Sequence, residues 1–93
     1  MEFEWDADKA ARNLEWHGVS FPEATTVFDD SLSVAVPDPD HSFEEQRYII
    51  VGSSHRNRLL IVAYTERGER IRIITARELT RREREAYEQG DYL

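Results

Sequence analysis

The chain has 93 residues, the size of one small domain, and its 40% hydrophobic and 11% aromatic content is enough apolar mass to fold rather than stay disordered. It has no cysteine, which excludes a disulfide framework, a thiolate metal site and a cysteine nucleophile. Its net charge of −7 argues at first against a nucleic-acid ligand, because binding to a phosphate backbone draws mainly on Lys and Arg.

The elements follow in chain order. Glu2 to Trp5 alternates polar and apolar residues as a short half-buried strand does, and Asp6 supplies a side-chain oxygen to cap a helix. That helix is predicted from Ala7 to His17, with Ala7, Ala10, Ala11 and Leu14 at helical spacing and Gly18 as its left-handed stop. Ser20-Phe21-Pro22-Glu23 fits a capping box with an early proline, so a second short helix carries Ala24, Val27 and Phe28 up to Asp29-Asp30. Leu32, Val34 and Val36 form a strand that Pro37-Asp38-Pro39-Asp40 ends, and the loop continues to about Glu44. Three further strands, Arg47 to Val51, Leu59 to Tyr64 and Ile71 to Thr75, read as an antiparallel meander. Thr80 to Gln89 is a charged helix with a Thr80–Glu83 capping box and Gly90 as its stop. The fold class is α+β: a short N-terminal strand, two helices, a four-stranded antiparallel meander and a C-terminal helix, with the helices covering one side of the sheet. Residues 1–93 form a single domain on this reading. The acidic opening residues do not resemble a secretory signal, and no apolar run approaches membrane length, so a cytoplasmic protein is expected.

Charge is distributed unevenly. From Met1 to Glu45 there are twelve Asp and Glu against Lys9 and Arg12, whereas Gln46 to Arg82 carries nine arginines against Glu66, Glu69 and Glu78. An arginine guanidinium can grip a phosphate through two parallel hydrogen bonds. Arg47, Arg58, Arg67, Arg70, Arg72 and Arg77 sit on or beside predicted strands, and several of them converging on a concave face could hold a phosphate and the charge that builds on it during cleavage. The competing reading is an ordinary ion-paired surface. Arginine seldom accepts a proton near neutrality, so a second group such as His17 or Glu45 is needed for that step. His17, at a helix end, is equally compatible with a capping or packing role. The three histidines, His17, His41 and His55, are far apart and lack metal-ligand spacing, so no metal site and no cofactor are expected. No P-loop, dinucleotide fingerprint, nucleophile elbow or metalloprotease motif is present.

Phe3-Glu4-Trp5-Asp6, Lys9, Asn13, His17-Gly18-Val19, Phe21, Glu23-Ala24, Val27-Phe28 and Asp30 resemble the N-terminal signature of BrnT-type toxins. The resemblance continues through Arg47, Gly52, Ser54, Leu60, Val62, Tyr64-Thr65, Arg67, Arg72-Ile73-Ile74, Ala76-Arg77, Glu83-Arg84 and Tyr87. It implies a RelE-like fold, a metal-independent endoribonuclease that blocks translation, and a BrnA-like antitoxin as partner, with either a homodimer or a heterotetramer with that antitoxin as the assembly. By the same resemblance the active surface holds His17, Arg47, Arg67 and Arg77, with Glu45, Arg58 and Lys9 behind them. Where family members usually carry lysine, this chain has Trp16, which either stacks on a substrate base or packs. That departure keeps a second function open, a catalytically weak or inactive member that binds the antitoxin and co-regulates transcription.

Overall fold

The computed structural model describes residues 1–41 and 45–90, so the predicted loop end at Glu44 lies outside the described residues. The chain runs β1 (Glu2–Glu4), α1 (Ala7–His17), α2 (Phe21–Thr25), a 3₁₀ turn (Thr26–Asp29), β2 (Val34–Pro37), a second 3₁₀ turn (Pro39–His41), β3 (Arg47–Ser53), β4 (Leu59–Arg67), β5 (Arg70–Glu78) and α3 (Arg81–Glu88). Among the described residues no helix is long and apolar enough to cross a membrane.

The predicted meander exists as β2 to β5, but it is four strands of a five-stranded mixed sheet in the order β1-β5-β4-β3-β2. β1 joins as a parallel edge on β5, with Phe3 opposite Ile71. Burial of Phe3 requires this docking, since its ring meets Phe28 edge-on at 5.2 Å on the core side. On the other side Glu4 pairs with Arg72 at 2.8 Å and Glu2 with Arg70 at 3.4 Å. Three-residue β1 is thus held by an aromatic contact on one face and ion pairs on the other.

Local chemistry sets the element ends. Asp6 Oδ1 accepts from the amides of Asp8 and Lys9, which caps α1 and holds the Asp6 carboxyl below its ordinary range, and Gly18 closes the helix at φ 67°. Ser20 caps α2 by accepting from the Glu23 amide, but the reciprocal half of the predicted box is missing. The Glu23 carboxylate turns inward to the Ser54 hydroxyl and Arg58, because a carboxylate only 3% exposed needs charged and hydroxyl partners more than a cap amide does. Leu32 does not open a strand: its amide donates to Asp30 Oδ1, an Asx-type turn that delays β2 to Val34 and leaves Leu32 exposed. The α3 capping box between Thr80 and Glu83 forms as read from the sequence.

The main core lies between the sheet and the α1–α2 layer, built from Val19, Phe21, Ala24, Val27, Ile50, Leu60, Val62, Tyr64, Ile71, Ile73 and Ala76. Helices do not cover one side alone, however. Val51 and Leu79 are buried outside that cluster, Arg77 on the opposite face is held by Glu83 of α3, and the Tyr87 hydroxyl donates to the Leu32 carbonyl at 3.0 Å. Through these two contacts α3 is held at one end of the second face.

Two features shape β5. Its register against β4 shifts between Ala63 and Tyr64, pairing them with Thr75 and Ile73 and leaving Ile74 as a bulge. Beyond Glu4, β1 no longer covers the β5 edge, and Asn13 of α1 takes its place. The Asn13 amide donates to the carbonyls of Ala76 (2.8 Å) and Val19 (2.9 Å) and accepts from the Ala76 amide (3.1 Å), acting as a short stand-in for a neighbouring strand. Asn13→Ala is expected to lower stability by about 2–4 kcal/mol, since each buried group left unpaired costs about 1–3 kcal/mol. Asn13→Asp, which sets a carboxylate oxygen against the Ala76 and Val19 carbonyls at a buried site, should cost at least as much in urea denaturation at neutral pH. A loss below about 0.5 kcal/mol for Asn13→Ala, within the range of ordinary surface substitutions, would contradict this role.

Candidate functional site

Asn13 fixes which face of α1 lies along β5, and the residues three and four positions either side of it share that face. Lys9, Trp16 and His17 consequently line, together with Asn13 and its neighbour Arg12, a cavity of about 260 Å³ with Ile74 and Thr75 of β5. Lys9 and Arg12 make no ion pair among the described residues, so their charge is directed at solvent and at this cavity. Trp16 is 71% exposed, which rules out the packing role. His17 is also exposed at the helix end, so it is not buried in an apolar cluster.

A second cavity, of about 320 Å³, lies on the sheet face away from the main core. Ile49, Ile61, Ala63, Ile74 and Thr75 line it together with Arg47, Arg77, Asp38 and His41. Ile74 and Thr75 belong to both cavities, so the α1 groove and the arginine groove meet at the bulge of β5. His41 Nδ1 lies 2.9 Å from Asp38 Oδ2, which orients the imidazole within the groove. Sequence reasoning set His41 aside with the metal question and did not single out Arg12. The available signals were the Asp38-x-x-His41 spacing across a tight turn and the three-residue step from Lys9 to Arg12.

Of the other candidates, Arg47 and Arg77 come together, whereas Arg67 does not join them. Arg67 is on the same sheet face, two residues past Thr65, the partner of Arg47, but it lies off the end of the groove and pairs with Glu45 at 3.3 Å. Glu45, considered for proton transfer, is thereby tied to an exposed ion pair. Arg58 is elsewhere: its Nε donates to Glu23 Oε2 at 2.9 Å and its Nη2 to the Gly18 carbonyl at 3.0 Å, clamping the end of α1 to the start of β4. The Arg58 guanidinium holds the Glu23 carboxyl below the usual carboxylate range despite its burial. Arg70 and Arg72 face Glu2 and Glu4. At least seven of the nine arginines between Gln46 and Arg82 are in ion pairs among the described residues, so the ion-paired reading of the arginine surplus holds for most of it.

Arg77 is held by Glu83 through two parallel hydrogen bonds of 2.7 and 3.0 Å, and it also donates to the Glu78 carbonyl. This fixes the guanidinium at the groove and holds the Glu83 carboxyl at about 2, against an ordinary 4.5. A carboxyl depressed by folding stabilises the native state above its unfolded pKa, and that contribution disappears as pH falls from about 4.5 toward about 2. Thermal unfolding followed from pH 7 to 2 should show this loss, and Glu83→Gln should be less stable at pH 7 with a shallower decline in acid. Parallel pH curves for parent and variant would contradict the coupling.

Comparison with known proteins agrees with this architecture. The crystal structure of the Brucella abortus ribonuclease toxin BrnT superposes with a TM-score of 0.64 at 20% identity, covering 87% of this chain and 99% of that one, which establishes the shared fold. No curated protein sequence gives a significant match. The family model described as the ribonuclease toxin BrnT of type II toxin-antitoxin systems matches residues 5–83. The chain therefore belongs to the BrnT family of ribonuclease toxins.

Proposed function

We propose that the joined grooves form the active surface of an endoribonuclease that needs no metal, blocks translation, and is neutralised by a BrnA-like antitoxin. The observation that carries this reading is the meeting of the two cavities at Ile74 and Thr75, which sets Arg47, Arg77 and His41 on one side and Lys9, Arg12 and His17 on the other. Arg47 and Arg77 bind the scissile phosphate and stabilise the charge that develops on its oxygens. The ribose 2′-hydroxyl oxygen attacks phosphorus as its proton passes to one imidazole. The bond from phosphorus to the 5′ oxygen then breaks, and that oxygen takes a proton from the other imidazole, leaving a cyclic phosphate. Imidazole suits both transfers because its charge changes near neutral pH. His17 and His41 are the two such groups on the surface, and Glu45, bound to Arg67, is not needed.

A second reading, a co-regulator that binds antitoxin without cleaving RNA, draws support from one observation: the Arg77 guanidinium is already engaged by Glu83. The two readings separate on purified protein incubated with single-stranded RNA. Arg47→Ala and Arg77→Ala should each lower the cleavage rate by about 10²–10³-fold, the usual effect of deleting one donor to developing charge. His17→Ala and His41→Ala should each flatten a different limb of the pH–rate profile. EDTA should leave the rate unchanged, and inhibition by the chelator with recovery on adding a divalent ion would overturn the metal-free mechanism. Absence of RNA cleavage by the parent protein, with tight antitoxin binding, would establish the second reading.

A further inference from the structure

Trp16 is a large apolar side chain left 71% exposed, and its place among cations gives it a partner. It follows Lys9 and Arg12 on the helix face turned to β5, and the three line one cavity with His17, above Ile74 and Thr75. The other tryptophan behaves differently: Trp5 meets Phe21 edge-on at 6.0 Å and packs against the core. Trp16 has no ring partner within the described residues. A flat, polarisable face that stays in water beside two cations without ion-pair partners among the described residues suits a ligand that is flat on one part and anionic on the next.

We propose that Trp16, Lys9 and Arg12 form a nucleobase subsite, in which an unpaired base of single-stranded RNA stacks on Trp16 while Lys9 and Arg12 hold the adjoining phosphates. The inference rests on the proposal that the joined grooves take RNA, and it specifies the substrate as unpaired at this nucleotide. A duplex is disfavoured because its bases are already stacked and cannot reach an indole on the protein surface. The shared residues Ile74 and Thr75 lead from this subsite to Arg47 and Arg77, so the stacked base is a near neighbour of the scissile phosphate in the same strand. Stacking is tolerant of base identity, so Trp16 selects for strandedness before sequence.

The test uses the full chain and a short single-stranded oligonucleotide with 2′-O-methyl riboses, which lacks the attacking hydroxyl and is not cut. Binding should quench tryptophan fluorescence, and Trp16→Phe should abolish most of that quenching while Trp5 continues to emit. Trp16→Ala should weaken binding about 5- to 100-fold, Trp16→Phe less, and an abasic oligonucleotide of equal length should bind both parent and Trp16→Ala with the same low affinity. Lys9→Ala and Arg12→Ala should weaken the abasic and base-bearing ligands alike and flatten the dependence on salt. Because Trp16 is exposed, its variants should keep the parent urea midpoint, which separates loss of contact from loss of fold. Unchanged affinity in Trp16→Ala, equal quenching by the abasic ligand, or a Trp16 signal that responds only to a bound protein would overturn the subsite. Quenching by the uncut ligand without cleavage of ordinary RNA would leave the subsite standing and remove the nuclease reading. Cleavage that is indifferent to Trp16→Ala would do the reverse.

Discussion

A strand edge that runs on past its neighbour leaves backbone donors and acceptors that must be matched before they can be buried. β5 has this problem where β1 stops, and one side chain, Asn13, matches both groups of Ala76 while also holding the Val19 carbonyl at the turn after α1. The rest of the site depends on this contact. It fixes the rotation of α1 about its own axis, so the residues one turn before and one turn after Asn13 are compelled to face β5. Arg58 secures the far end of the same helix through the Gly18 carbonyl, and Glu23 holds Arg58 in turn. α1 is therefore pinned near its middle and at its C-terminal end, and its exposed stripe is presented in a defined position.

The acidic balance of the chain has an equally local origin. Carboxylates of the N-terminal half are laid against arginines of the second half: Glu2 and Glu4 on Arg70 and Arg72, Glu23 on Arg56 and Arg58, and Glu45 on Arg67. These pairs join segments distant in sequence, with the exposed ones contributing little to stability individually and the buried Glu23–Arg58 pair contributing order to a packed junction. Lys9 and Arg12, which make no ion pair among the described residues, line one groove, and Arg47 and Arg77 line the other. Net charge alone therefore misjudges this surface, because most of the opposing charges have already met one another.

The sequence was most informative where the signal is local. The ends of α1, the α3 capping box and the meander all follow from alternation, capping residues and turns within a few residues of each other. Apart from the Asx turn at Leu32, the failures are long-range. Glu23 looks like a cap residue until Arg58, thirty-five positions later, is folded against it. Glu2-Phe3-Glu4 reads as a strand, but nothing near it says that its neighbour is β5. His41 acquires meaning from Arg47 and Arg77 across the groove, and Arg67 loses it to Glu45. The family resemblance supplied the candidate residues, and only the tertiary arrangement distinguished those lining the groove, Arg47 and Arg77, from those held elsewhere, Arg58 and Arg67.

The bulge at Ile74 has a consequence for the whole logic of β5. Along a regular strand, residues of odd and even number keep to opposite faces, so a strand that buries Ile71 and Ile73 beneath the helices would also turn position 77 inward and position 76 outward. One extra residue reverses that parity: Ala76 enters the core and Arg77 emerges beside Ile61 on the other side. The first half of β5 can thus follow the demands of packing and the second half those of chemistry, with Ile74 as the point of changeover. Pulling the bulge flat with every residue kept would leave composition and charge untouched yet exchange the inside and outside of everything downstream in the strand, drawing a guanidinium toward the apolar interior and pushing an alanine into the groove.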